Sequence, residues 1–319
     1  MLSRVAENLY WMSRYVERAE SMARLLDAAF YLELDAAGLA RDDDGTGPVE
    51  GILAILGCKA AFGSAHPGAD RDAVLRYLTF DRKNSQSILS MIGRARENAR
   101  GTQEAISAEV WSEINRLYLY LGGPKAQRRF SASPSSFFSS IKKTCVLWSG
   151  LVDGTLARDE VFHFLQAGRY LERAEQVGRI LKAKSHHLHD PGPGVGLAMR
   201  AIHWSSLLRS CSAYDAYLRT YRERVDPEGV VRYLVLDADF PRAMRFCVAR
   251  CRESLHEISG GDDDGYGSEA ERLLGRLDGE LRYIDVSEIF ERGLPRFLAS
   301  VQETCLRVGE EFHKAYFAT

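Results

Sequence analysis

The chain nearly repeats itself. Residues 14–20 read RYVERAE and residues 169–175 read RYLERAE, an offset of 155. The correspondence continues to Arg24 and Arg179. At an offset of 156, Arg76-Tyr77-Leu78 meets Arg232-Tyr233-Leu234, Asp81 meets Asp237, and Arg96-Glu97 meets Arg252-Glu253. Thr144-Cys145 meets Thr304-Cys305 at an offset of 160, which needs only a small insertion. Matches that keep one order along a chain point to a duplicated unit. The predicted units are 1–155 and 156–319, packed on each other about a pseudo-two-fold axis.

Each unit reads as helical. Val5, Leu9, Met12, Val16, Ala19, Ala23 and Leu26 step by fours and threes, which makes one apolar face of a long helix. Helices are predicted at 2–36, 50–62, 70–79, 84–121, 135–151, 157–188, 198–224, 239–258, 267–283 and 294–316, separated by clusters of Gly, Pro and Asp. No stretch alternates with period two between hairpin turns. The expected fold class is therefore all-α, a helical bundle of two tandem multi-helix repeats. The Asp-Asp-Asp-Gly runs at 42–45 and 262–265 lack the spaced downstream ligands of a calcium loop and read as solvated turns.

On its helix the repeated motif puts Arg14, Glu17 and Arg18 opposite the apolar stripe, with Glu7, Tyr10 and Ser21 on the same side and Trp11 and Tyr15 beside it. Glu20 closes the first motif, and Arg169, Tyr170, Glu172, Arg173 and Glu175 repeat it. Three readings stand open. The strip is a solvated face of weak ion pairs, a buried salt bridge that docks one half on the other, or a polar pocket whose guanidiniums hold a carboxylate or phosphate. A strip kept in both copies favours docking or binding over decoration. Tyr10, Trp11, Tyr15, Tyr170, Glu7, Asp81 and Asp237 are secondary candidates.

RYVERAE preceded by LSRVAENLYWMSR resembles the bacterial alpha-E family, helical domains marked by a Glu-Arg motif and found as tandem duplications. The motif residues are Glu17 and Arg18, then Glu172 and Arg173. The opening stretch is not kept in the second copy, where Phe162, His163 and Gln166 stand for Glu7, Asn8 and Trp11. The resemblance implies an accessory protein of a peptide synthesis or modification system. It would work beside a circularly permuted ATP-grasp amide ligase, a transglutaminase-like protein and peptidases of the N-terminal nucleophile class, with a peptide as substrate and the Glu-Arg strips as contact surface. The alternatives are a metal-dependent or other enzyme of the same system, or a purely structural dimerisation module, which leaves a homo-oligomer open.

Composition and motifs signal no reaction, and no catalytic residue or cofactor is predicted. The 319 residues carry a net charge of −2 and 45% apolar residues, which gives no global pull toward nucleic acid or anionic membrane. No apolar run reaches the length of a bilayer span and no signal-peptide block opens the chain. Six cysteines without CxxC pairing read as buried thiols of a reducing compartment, so a cytoplasmic location is expected. Nucleotide-binding glycine motifs and the nucleophile elbow are missing. Glu160/His163, Glu253/His256 and Glu310/His313 have the Glu-x-x-His spacing of di-iron bundles. The first-half counterparts of the first two, Val5/Asn8 and Glu97/Arg100, contain no histidine, which argues against a metal centre. His186, His187 and His189 suit a helix C-terminus, and the Lys125–Arg129 patch (KAQRR) reads as a surface loop.

Overall fold

A computed structural model describes residues 1–35, 47–66, 68, 70–189, 197–222, 225–260 and 265–318, without the side chains of 34–35, 184–189 and 197–200. Among the described residues every regular element is a helix. They are α1 (Ser3–Asp35), α2 (Pro48–Ile55), α3 (Lys59–Ala65), α4 (Arg71–Phe80), α5 (Ile88–Arg100), α6 (Ala108–Leu121), α7 (Pro124–Ala132) and α8 (Pro134–Thr155). Then follow α9 (Glu160–His189), α10 (Leu197–Ser210), α11 (Tyr214–Tyr221), α12 (Pro227–Val231), a π-helical turn at Arg232–Leu236, α13 (Met244–Ser259), α14 (Glu269–Tyr283), α15 (Val286–Arg292) and α16 (Leu294–Tyr316).

Local chemistry sets many of the boundaries. Ser87, Ser107, Ser133 and Ser268 each accept a hydrogen bond from a backbone N–H in the first turn that follows. This satisfies one of the donors a helix start leaves open. Pro124, Pro134, Pro227 and Pro295 sit within the first two positions of their helices, where no amide proton is needed.

The predicted helix 84–121 is two helices. Gly101 caps α5, Thr102 to Ile106 turn the chain, and Ser107 starts α6. The predicted helix 50–62 breaks at Gly57, whose φ of +66° is cheap only for glycine. The predicted helix 198–224 breaks at residues 211–213, where Ser212 takes a φ of +51°. The Lys125–Arg129 patch is not a loop but part of α7. The runs at 42–44 and 262–264 lie outside the described residues, as do the side chains of His186, His187 and His189.

The two long helices α1 and α9 lie side by side at the centre. They run in the same sense, for the amino group of Met1 meets Glu160 at one end while Arg18 meets Glu172 further along. α5 and α8 pack on α1, and α13 and α16 pack on α9. One apolar core runs through the molecule. The predicted stripe of α1 is in it, with Leu9, Met12, Val16, Ala19, Ala23 and Leu26 all buried and Val5 partly so. The opposite face of α1 is covered as well, because α9 lies on it. Among the described residues no single helix is long and apolar enough to cross a membrane.

Candidate functional site: the Glu-Arg junction

The repeated strips face each other where α1 meets α9. Arg18 grips Glu172 with two parallel bonds, Nε to Oε1 and Nη2 to Oε2, both 2.7 Å. Arg173 grips Glu17 the same way, at 2.8 and 2.7 Å. Each motif thus supplies the carboxylate for the other motif's guanidinium. Bidentate pairs of this kind are strong and fix orientation.

Further groups complete the network. Arg14 donates to Glu172 at 2.8 Å, to Glu175 at 2.7 Å and to the Tyr10 hydroxyl at 2.9 Å. Gln176 donates to Glu172 at 2.6 Å. Arg242, in the loop before α13, donates to Glu17 at 3.0 Å and also reaches Glu20, which takes Arg24 as well. The sequence pattern offered no signal for Arg242, which matches no repeated residue; it falls in the predicted helix 239–258, but that helix starts only at Met244. Arg169 departs from the role of its counterpart Arg14. It binds Asp153 of α8 and Gln166 rather than a carboxylate of the motif.

Most of these groups are out of solvent, while the Arg18 side chain stays 26% exposed. Glu172 is 0% exposed, Glu17 2%, Glu175 5%, Arg14 5% and Arg173 8%. The solvated-face reading is therefore corrected: the strip looked external because only one apolar face of α1 was counted, whereas α1 is buried on two sides. Burial alone pushes the Glu17 carboxyl up. The Arg173 and Arg242 guanidiniums outweigh it and hold the group at about 2. Glu172 is likewise held well below the usual carboxylate range by Arg18 and Arg14 against its burial. Glu175 goes the other way, because burial exceeds the pull of Arg14 and Glu172 lies beside it.

The secondary candidates divide. Tyr10 is buried, stacked on Phe312 with centroids 4.7 Å apart, and burial raises its phenol. Tyr170 lies under the guanidiniums of Arg169 and Arg173 at 4.9 and 5.5 Å. Asp81 and Asp237 do equivalent local work: each carboxylate caps the turn after it, accepting from Lys83 N–H and from Asp239 and Phe240 N–H respectively. Glu7, Trp11 and Tyr15 line an open cavity of about 730 Å³ between α1, α5 and α6, and the Trp11 and Tyr15 rings also lie against the junction guanidiniums of Arg14 and Arg18, at 5.1 and 5.9 Å.

The histidine pairs do not converge on a metal geometry. Glu160 binds the Met1 amino group, and the buried Nδ1 of His163 has no hydrogen-bond partner. Glu253 pairs with Arg250, and His256 Nδ1 lies 2.9 Å from Glu271. Among the described residues no three His, Cys, Asp or Glu side chains form a group able to hold a metal ion. The six cysteines are free and buried.

An all-helical protein whose central helices are joined by buried Glu-Arg pairs is the class this geometry defines. The chain belongs to the Alpha-E family, a predicted alpha-helical domain with a conserved ER motif, matched over residues 1–317. It is similar to uncharacterized proteins of Mycobacterium tuberculosis and Mycobacterium bovis, at 24% identity over 302 residues and 90% of this chain. The matched segment is 33% of those proteins, so the chain spans about a third of their length. No solved structure matches.

Proposed function

We propose that this chain is a non-catalytic helical partner of a peptide-modifying system, built from tandem repeats 1–155 and 156–319 that dock about a pseudo-two-fold axis. The observation that carries the docking is reciprocity. Arg18 binds Glu172 while Arg173 binds Glu17, so each partner set is the other shifted by 155 residues. A self-complementary contact of this kind is what a two-fold relation between like units produces.

The motif's role follows from its saturation. The guanidiniums of Arg14, Arg18 and Arg173 are already committed to carboxylates inside the protein. The Glu-Arg strips hold the two halves in register, and partners meet the outer faces. A partner is favoured by the curated relatives, in which the matched segment is a minority of a longer chain. The family resemblance supplies its class: a circularly permuted ATP-grasp amide ligase, with a transglutaminase-like protein as the second candidate. Co-purification with the ligase as bait, and amide formation by the ligase with and without this chain, tests the reading. Stable association and a loss of product without the chain are expected. No association, together with full ligase output in its absence, overturns it.

A further inference from the structure

The cavity between α1, α5 and α6 has charge of opposite sign at its two ends. α1 and α5 run antiparallel along it. Asn8 lies against Gly101 at the end of α5, and Tyr15 lies under Arg94 further back, 5.6 Å from ring centroid to guanidinium. Glu7 therefore sits at the Glu97 and Asn98 end. Arg82 and Lys83 enter from the loop before α5, at the other end, and Arg82 reaches the Tyr118 hydroxyl at 3.4 Å.

The first turn of α5 also lines this basic end, through Leu89 and Ser90, and adds the positive end of a helix dipole. Among the described residues Arg82, Lys83, Arg94 and Glu7 have no oppositely charged partner in reach, whereas Glu97 is shared by Arg96 and Arg100. Trp11 and Tyr15, one helical turn apart, form an aromatic wall between the ends, their centroids 5.7 Å apart.

By the same register Glu7 lies level with the end of α5 near residue 102, so Ser90 to Glu7 covers about twelve residues of helix, a separation of about 18 Å. A free amino acid is too short to bridge it. An extended peptide of about five residues has that span between its termini. We propose that this cavity binds a short zwitterionic peptide. Its carboxylate lies among Arg82, Lys83 and Arg94, its ammonium lies on Glu7, and its body lies on Trp11 and Tyr15. Binding stands on this charge arrangement, and only the origin of the peptide rests on the function proposed above. The second repeat carries Phe162 and Gln166 in place of Glu7 and Trp11, so the site belongs to one half.

The test is calorimetric titration of the full chain with Gly-Gly-Phe-Gly-Gly, its N-acetyl form and its C-terminal amide. Capping either end is expected to weaken binding about tenfold, the loss of one charge-assisted contact. In the Arg82→Ala/Arg94→Ala variant the amide and the free acid are expected to bind alike. In Glu7→Gln the N-acetyl and free-amine forms are expected to bind alike. Lys83→Ala, at an exposed loop position, gives a second reading of the basic end. Thermal melting confirms that the variants are folded. No binding of the free pentapeptide at millimolar concentration, or affinities indifferent to capping, overturns the proposal. Association with the ligase is measured on the same variants, so a protein that binds its partner but no pentapeptide separates the two ideas.

Discussion

Gly168 of α9 packs against Ser13 of α1 so closely that a β-carbon at 168 would collide with the Ser13 hydroxyl and with the Tyr10 carbonyl. The two positions are 155 residues apart, the offset of the repeated motif. Like positions meeting at one crossing is what the proposed two-fold relation would produce. The reciprocal ion pairs lie one turn further along both helices.

The crossing predicts the effect of adding one methyl group. A Gly168→Ala substitution forces α1 and α9 apart and is expected to cost about 1–3 kcal/mol, the range of overpacking in a filled interior. Gly150 on α8 and Gly275 on α14 face open space. Alanine there is expected to stabilise by about 0.4–1 kcal/mol through the unfolded chain. Urea unfolding of the three variants checks the contrast, and equal effects at all three sites refute the close approach.

The ion pairs predict a strong dependence on sign. Arg173→Leu leaves Glu17 buried with Arg242 as its remaining guanidinium partner, and a loss of about 3–5 kcal/mol is expected. The double exchange Glu17→Arg/Arg173→Glu restores opposite charges across the junction and is expected to recover part of the loss of either single reversal. A double-mutant cycle in urea measures that coupling. A coupling near zero would mean that the pair does not dock the halves.

Acid sensitivity follows from the depressed carboxyls. A group whose pKa is lower folded than unfolded stabilises the fold above its unfolded value and loses that contribution as pH falls toward its folded value. For Glu17 the window runs from the usual carboxylate range near 4.5 down to about 2, a contribution of about 3 kcal/mol. Glu172 acts in the same direction. Glu175, raised by burial, has the opposite sign: its contribution is present at low pH and lost as pH rises. Glu17→Gln is expected to lower stability at pH 7 and flatten its decline between pH 4.5 and 2. Unfolding midpoints at a series of pH values decide this, and a decline of unchanged slope counts against it.

Much of this architecture can be read from the residues, and the limits of that reading are physical. The repeat and the stripe from Leu9 to Leu26 needed only spacing, because one face of a helix packed on a core declares itself by period. The burial of Glu17 and Arg14 did not, since a polar strip looks the same whether water or another helix covers it. A signal was present: Tyr10, Met22 and Leu25 are apolar positions outside that stripe, more apolar surface than a helix covered on one side needs. Arg242 could not be read from periodicity, because a loop places it. The break after α5 was carried by Gly101 followed by Ser107, a cap and a start that outweigh continuous amphipathic spacing.

The thiols give the last prediction. Cys145, Cys211, Cys247, Cys251 and Cys305 are fully buried, and burial raises every one of them, to about 12 for Cys211, Cys247 and Cys251. The thiolate is the reactive form, so at pH 8 these groups present almost none of it, and the core blocks access as well. Cys58 is also buried but less deeply, beneath the short helices α2 and α3, and its thiol is raised less. Titration with an aromatic disulfide at pH 8 is expected to modify Cys58 first. The other five should react only at the rate of unfolding and all together in denaturant. If Cys247 or Cys251 instead reacts as fast as a free thiol in the folded protein, then α9 and α13 open in solution and the buried junction beside them is not the resting state.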